Sequence, residues 1–512
     1  MQTSLAALRL RTAVAVLIVL WMATAAQAAG HHKELAHQID SVLAQPEAAR
    51  SFWGVEIEDL GTGEVVYSHN ADQLFTPASN AKIFTTAAAF ALIGPSYQFH
   101  TTIEAASTPD KYGRIGGDIV LVGRGDPNLS GRALPYLGKT ERPFPPEQAL
   151  AELADQLVTR GVKVVDGDIV ADDSFYSFER YADGWTLDDT VWEYGAPVSA
   201  LAVNDNVVFL TVQPGEKAGE RAFVTLSPFA EYFRLDNQVV TTAAGERNLS
   251  LDRQPGSRRL QIWGSIPLGD PGDGMAVAVE DPAEFAGQVL HELMVRRGIV
   301  VYGDIRARHA SHTASLPLST DLSTVNRATV KLAEHVSAPL SLDLDVINKV
   351  SQNLHAEMLL RLLGREKGSG GSIAGGLAVL KDFLLQAGLK PEEFVFFDGS
   401  GLSRKSLVSP AATVKLLRYA TRQNWSAAYS ASLPVAGVDG TLASRLKDLP
   451  AGATVKAKTG SHDHVNTIAG YLTTSHGEHY AFSIMCNNHT FQNHGASEVI
   501  DAILRDLERS RD

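Results

Sequence analysis

The chain has 512 residues, 45% of them hydrophobic, which is too long for one ordinary core and apolar enough for a folded protein of two or three domains. Its net charge is −13, and −15 without Arg9 and Arg11 of the N-terminal leader; this excludes the electrostatic footprint of a nucleic-acid binder. The single cysteine, Cys486, excludes an internal disulfide and, lying in an apolar strand, reads as a core residue.

Arg9 and Arg11 precede an apolar run from Thr12 to Ala26, and Ala26-Gln27-Ala28 ends it as a small-x-small cleavage site. Residues 1–28 therefore read as a secretory signal; the run is short for a membrane anchor. No later run is long enough to span a bilayer, so a periplasmic or otherwise extracytoplasmic protein with no transmembrane anchor after signal removal is expected.

Phe52 to Tyr67 reads as a strand pair turning at Gly61-Thr62-Gly63 and joining the C-terminal strands in one sheet. Thr76-Pro77-Ala78 then leads into Ser79-Asn80-Ala81-Lys82, and an Ala-rich stretch runs to Leu92 before Gly94-Pro95. This predicts a buried helix opened by Ser79, with Lys82 on the same face one turn on. Gly123-Arg124-Gly125-Asp126-Pro127 imitates a phosphate loop but lacks the Gly-Lys-Ser/Thr ending, so it reads as a turn.

Further on, Arg160-Gly161-Val162 leading to Gly167-Asp168-Ile169 is echoed by Arg297-Gly298-Ile299 leading to Gly303-Asp304-Ile305. Each follows a helical run, so the two units suggest one α/β module. Between them, Asn206 to Ile266 is rich in short alternating apolar segments and reads as a small all-β module. Ser351-Gln352-Asn353 stands at the mouth of a helix marked by Leu354, Met358, Leu359 and Leu362, with Gly364 as its expected stop.

Val455 to Lys458 alternates, which puts Lys458-Thr459-Gly460 on a strand that can border a cleft; Val465 to Thr473 and Tyr480 to Asn487 are further strands. Val499, Ile503 and Leu507 mark an amphipathic helix that covers a sheet. Because the first and last motifs must meet, the economical organisation is a catalytic domain from 29–96 and 331–512. An α/β insertion then occupies 97–203 and 271–330, with a nested all-β domain at 204–270.

Each motif alone is weak. Ser444-Arg445-Leu446-Lys447 is a second Ser-x-x-Lys and Ser68-His69-Asn70 a second Ser-x-Asn. Only Ser79, Ser351 and Lys458 provide all three in order and in suitable contexts, the pattern of a serine acyltransferase in which a lysine activates the nucleophile. A serine hydroxyl needs a nearby base, and Lys82 can serve if burial and neighbouring cations such as Lys458 depress its pKa. Ser351 can relay the proton to the departing amine, and Asn353 can hold the substrate amide.

The set resembles the penicillin-recognising enzymes. With the nested insertion, nearly the whole mature chain resembles the class C low-molecular-mass penicillin-binding proteins, the D-alanyl-D-alanine carboxypeptidase/endopeptidase family. Tyr194-Gly195-Ala196-Pro197-Val198-Ser199-Ala200, Ile347-Asn348-Lys349, Asp398-Gly399-Ser400-Gly401-Leu402-Ser403-Arg404 and Val435 to Leu442 match it in local wording.

The resemblance implies a multidomain α/β protein with a penicillin-binding/β-lactamase-like transpeptidase domain, an antiparallel sheet flanked by helices, carrying a nested α/β and all-β insertion. It implies a serine peptidase without cofactor or metal, acting on peptidoglycan peptides that end in D-Ala-D-Ala or are cross-linked through D-Ala, and acylated by β-lactams. It further implies the backbone N–H groups of Ser79 and Ser461 as oxyanion donors. Lys458 and Thr459, with Gly460, would hold the terminal carboxylate, and Asp172 and Arg404 are candidates for the diamino-acid side chain; surface salt bridging is the competing reading for those two.

The chain departs from the pattern at Gln352, where an acid is common, and at His355, where Tyr is common. Ser461-His462-Asp463-His464 is unusual too, but no third ligand of recognisable spacing accompanies the His-x-His pair, so a solvated loop is expected rather than zinc. A serine β-lactamase shares the three motifs, but a Glu-x-x-Leu-Asn string is absent and the nested insertion favours a peptidase. A non-catalytic wall-binding protein of the same fold would have no need of Ser79, Lys82, Ser351, Asn353 and Lys458 together.

Overall fold

The computed structural model describes residues 32–138, 142–310, 329–492 and 494–510. The signal expected at 1–28 lies outside them. No helix among the described residues is long and apolar enough to cross a membrane. The chain divides into two compact units, one comprising residues up to Asn80, Ala387–Val395 and Leu407 onwards, the other Ala81–Gln386 and Phe396–Ser406.

The first unit is built on a five-stranded antiparallel sheet in the order Val65–His69, Phe52–Asp59, His479–Asn487, Val465–Thr473, Thr454–His462. The turn at 61–63 closes the first hairpin through the Asp59 carboxylate, which accepts from the Thr62 amide, and through Gly63 at φ +77. Alternation assigns the faces. Trp53, Val55 and Ile57 pack with Leu35 and Ile39 and with Ile500, Ile503, Leu504 and Leu507 of the helix Gly495–Arg509. Gly54 faces the opposite way and has no room for a side chain, since a Cβ there would meet the Phe75 ring and Pro410 at the start of the helix Pro410–Thr421.

The second unit carries three packed helices, Ala81–Leu92, Asn353–Lys367 and Ile373–Gln386. Almost every side chain of Ala81–Leu92 is buried, as the Ala-rich stretch predicts. Gly364 does not stop its helix, which runs on to Lys367; its missing side chain instead lets the next helix approach, because a Cβ would lie 2.6 Å from the Gly376 nitrogen.

A mixed five-stranded sheet follows, in the order Ile305–Ala310, Ile169–Ser177, Ile119–Val122, His100–Ala105, Val330–Val336. The expected domain boundary at 330/331 thus falls at a strand that pairs with His100–Ala105. The internal echo is structural: Gly161 and Gly298 end their helices at φ +80 and +79, Val164–Val165 pairs parallel with Val300–Val301, and Ile169 faces Ile305. A third copy, Gly117-Asp118-Ile119, joins the same ladder, with Ile119 opposite Ile169, the Asp118 carboxylate accepting from the Asp168 amide and the Asp168 carboxylate from that of Asp304.

The all-β module has two three-stranded sheets, one ordered Phe223–Ser227, Val207–Gln213, Asp273–Ala278 and one ordered Arg234–Thr242, Arg259–Pro267, Asn248–Asp252. Leu210, Val212, Val239, Leu260 and Ile262 fill the space between them.

Candidate active site

In the first unit, Ser79 lies in a 3-10 turn, Ala78–Asn80, fixed from below by the sheet. The Asn487 side chain brackets Thr76, accepting from its amide at 2.8 Å and donating to its carbonyl at 3.3 Å, and the Thr467 hydroxyl donates to the Pro77 carbonyl at 2.7 Å. Ala78 is fully buried with φ +47, a left-handed conformation that costs a non-glycine residue about 1–3 kcal/mol and that surrounding contacts must impose. Gly460 is the matching concession from the strand: a Cβ there would lie 2.7 Å from the Pro77 carbonyl oxygen and 2.9 Å from the Ser79 nitrogen. The glycine of the third motif therefore lets the edge strand close on the Ser79 turn.

Thr454–His462 is the outermost strand of its sheet; its outer edge is bonded to the segment 434–436 at Val455 and Ala457, so the stretch beyond Ala457 is where it can present N–H and C=O groups to a ligand. Lys458 is fully buried and donates to the Thr459 carbonyl, and the Thr459 and Thr441 hydroxyls share a 2.7 Å bond. Ser79, Lys458, Thr459, Gly460 and Ser461 thus belong to one unit, with Gly460 against the Ser79 turn.

In the second unit, Lys82 is completely buried on the first turn of Ala81–Leu92. Its Nζ donates to Asn353 Oδ1 at 2.6 Å and to the Ser400 carbonyl at 2.9 Å. Burial lowers its pKa to about 7, against the pull of Asp398 and Glu357, which raise it. Of the two causes expected, burial and a neighbouring cation, burial is the one that lowers it, and the two charges that act on it are anionic. A neutral amine has two N–H groups and one lone pair, and two of the groups around this one are the acceptors Asn353 Oδ1 and the Ser400 carbonyl.

Asn353 is held in turn by its own amide, whose Nδ2 donates to the Tyr194 carbonyl at 2.8 Å. Ser351 has φ +67, a left-handed turn after the segment Val346–Val350 and ahead of the helix Asn353–Lys367. Sequence reasoning missed two residues here. Glu357 accepts from the amides of Gly399 and Ser400, and Asp398 from those of Gly401 and Ser403, so these carboxylates set the loop whose Ser400 carbonyl receives Lys82. Glu357 was readable as the residue one helical turn after Asn353, followed at the same interval by its partner Arg361.

Gln352 and His355 are explained by Asp205, a buried residue at φ +55 between Asn204 and Asn206, which are left-handed as well. Gln352 caps its helix by accepting from the Leu354 amide and donates to Asp205 at 2.8 Å. His355 lies between Asp343, 2.7 Å from Nδ1, and Asp205, 3.1 Å from Nε2. Burial opposes its charge, yet the two carboxylates lift its pKa to about 9. Arg132 and Arg142 complete the partners of Asp205 and outweigh its burial, holding it well below the usual carboxylate range. An acid at 352 would oppose Asp205; the amide fits.

Asp172 pairs with Arg308 at 3.0 Å and Arg404 with Asp189 at 2.8 Å, so both stand in ion pairs. His464 Nδ1 meets the His489 carbonyl at 2.8 Å, and no group of three His, Cys, Asp or Glu among the described residues is arranged for a metal. The second Ser-x-x-Lys lies on a turn in which Leu446 has φ +52, so Ser444 and Lys447 share no helical face.

The fold defines a class: a multidomain α/β protein with a penicillin-binding, β-lactamase-like sheet-and-helix framework. The model of the D-Ala-D-Ala carboxypeptidase 3 (S13) family matches residues 35–509, and the chain belongs to that family of serine peptidases. A D-alanyl-D-alanine carboxypeptidase from Actinomadura sp. (strain R39) is 35% identical over 469 residues, covering 89% of this chain and 81% of that protein. The Haemophilus influenzae D-alanyl-D-alanine carboxypeptidase DacB is 26% identical over 457 residues, covering 88% of each. The crystal structure of penicillin binding protein 4 from Haemophilus influenzae superposes with a TM-score of 0.75 at 23% identity, covering 92% of this chain and 98% of that one. A second structure of that protein, with a TM-score of 0.71 at 22% identity over 93% and 99% of the two chains, holds a β-lactam.

Proposed function

We propose that this protein is a serine-type D-alanyl-D-alanine carboxypeptidase and endopeptidase, working outside the cytoplasm on peptidoglycan stem peptides and D-Ala cross-links through an acyl-enzyme on Ser79. The observation that carries the reading is the state of Lys82, a buried amine beside the acceptors Asn353 Oδ1 and the Ser400 carbonyl, with its pKa near neutrality. In this reading Ser79 Oγ attacks the carbonyl of the penultimate D-alanine while its proton passes to Lys82 Nζ. The oxyanion is met by the backbone N–H groups of Ser79 and Ser461, and Lys458 and Thr459 hold the terminal carboxylate.

Ser351 passes a proton to the departing amine, Asn353 orients the substrate amide, and water then releases the acyl group. A penicillin presents its strained amide to the same serine and stays bound. Asp172 and Arg404 are proposed to recognise the side chain of the diamino acid, within the ion pairs they already make. The test is digestion of a monomeric pentapeptide ending in D-Ala-D-Ala, followed by mass analysis: the loss of one alanine is expected, and Ser79→Ala abolishes it. A wild-type protein that leaves the peptide intact and takes up no fluorescent penicillin would overturn the reading.

A further inference from the structure

A groove of about 590 Å³ adjoins the third motif within the first unit. Thr459, Gly460 and Ser461 line it, and so do the turn that carries Lys447 and the C-terminal helix with Glu498. Its size suits a ligand of several residues. Two ion pairs tie the turn to the helix, Arg445 with Asp501 at 2.6 Å and Arg505 with Asp448 at 2.8 Å, so the groove is formed in advance of any ligand. A larger cavity, about 1130 Å³ beneath Phe229 and Tyr232 in the all-β module, is lined by none of the motif residues.

We infer that this groove is the subsite for the leaving strand of a cross-linked substrate, the peptide on the far side of the cleaved bond. The inference rests on the proposed role of Thr459 in holding the carboxylate next to that bond: a leaving group longer than a single alanine, anchored at Thr459, continues along the surface that Thr459 and Ser461 share with the groove. Arg445, Asp501, Arg505 and Asp448 neutralise one another, whereas Lys447 and Glu498 are exposed and make no ion pair with any described residue. One charge of each sign suits a peptide that carries an amine as well as carboxylates, not a polyanion; the amine is the leaving strand's N-terminus, since the diamino acid's own amine is acylated in the bond that breaks. Lys447 and Glu498 are thereby specificity residues for cross-link cleavage, remote from the bond that breaks.

The experiment compares two rates for the full mature chain, the cleavage of purified D-Ala cross-linked peptide dimers and the release of D-alanine from the monomeric pentapeptide. Lys447→Ala and Glu498→Ala are each expected to lower the ratio of dimer to monomer cleavage by about tenfold, and Lys447→Arg to restore most of it. A ratio unchanged in both alanine variants overturns the inference while leaving the carboxypeptidase reading standing. Equal loss on both substrates also overturns it, since that marks a general defect. If the wild-type protein releases no D-alanine and takes up no penicillin, the functional reading fails first and the inference falls with it.

Discussion

The chain contains the same four-residue motif twice, and the two copies differ in everything that makes chemistry. Ser79-x-x-Lys82 runs from a 3-10 turn into a helix, and Lys82 is sealed from water with two acceptors on its amine. Ser444-x-x-Lys447 lies on a turn with a left-handed residue inside the motif, and Lys447 is exposed. Residue type and spacing are identical; only desolvation and backbone path separate the buried Lys82 amine from the exposed Lys447.

The most severe way to break this contrast is to remove each serine. Ser79→Ala should lower labelling by fluorescent penicillin by ~10³ or more, below detection, while Ser444→Ala leaves a labelled band. Gel fluorescence decides it, and a band that survives Ser79→Ala means the other copy, or neither, is the nucleophile. Next comes Lys82→Arg, which keeps a cation but removes the base, because guanidinium stays protonated; acylation should fall ~10³-fold, whereas Lys458→Arg retains part of the rate. Equal losses in stopped-flow acylation would make the two lysines electrostatic equivalents.

A smaller effect sharpens the backbone half of the comparison. Gly460→Ala puts a methyl group against Pro77 and the Ser79 nitrogen, and should slow acylation by about 10- to 100-fold by displacing the nucleophile turn. An unchanged rate would show that the turn has slack.

Much of this was legible in the sequence because it is local. The helix Ala81–Leu92, though it opens after Ser79 rather than at it, the hairpin at 61–63, the strand 465–473 and the C-terminal amphipathic helix announce themselves through periodicity and turn residues within a few positions. The Gly-Asp-Ile echo was visible as two copies and is three in the sheet. What stayed hidden depends on residues far apart in the chain: Lys82 and Asn353 meet across 271 positions, and Asp398 sets a loop that no spacing rule connects to either. Gly364 read as a stop because a glycine that ends a helix and a glycine that admits a neighbouring helix look alike until the neighbour is placed. Gln352 and His355 looked like departures for the same reason, since Asp205 lies in a different part of the chain.

The smallest expected effect concerns that buried network. The pKa of His355 is raised from 6.5 to about 9 on folding, so its contribution to stability is complete below about 6.5 and disappears as pH rises through about 9. His309, raised to about 10 between Asp173 and Asp281, acts in the same direction at somewhat higher pH. Thermal unfolding should show a Tm that declines by a few degrees between about pH 6.5 and 9, with a shallower decline in His355→Gln. An identical slope in that variant would remove His355 from the account.

The claim that burial turns Lys82 into a neutral base is tested most directly by the rate of penicillin acylation of Ser79 measured from pH 5 to 9. The rate should rise with pH as Lys82 loses its proton, following a single group with an apparent pKa of about 7. A rate that is flat across that range, or that rises only above pH 9, would contradict it.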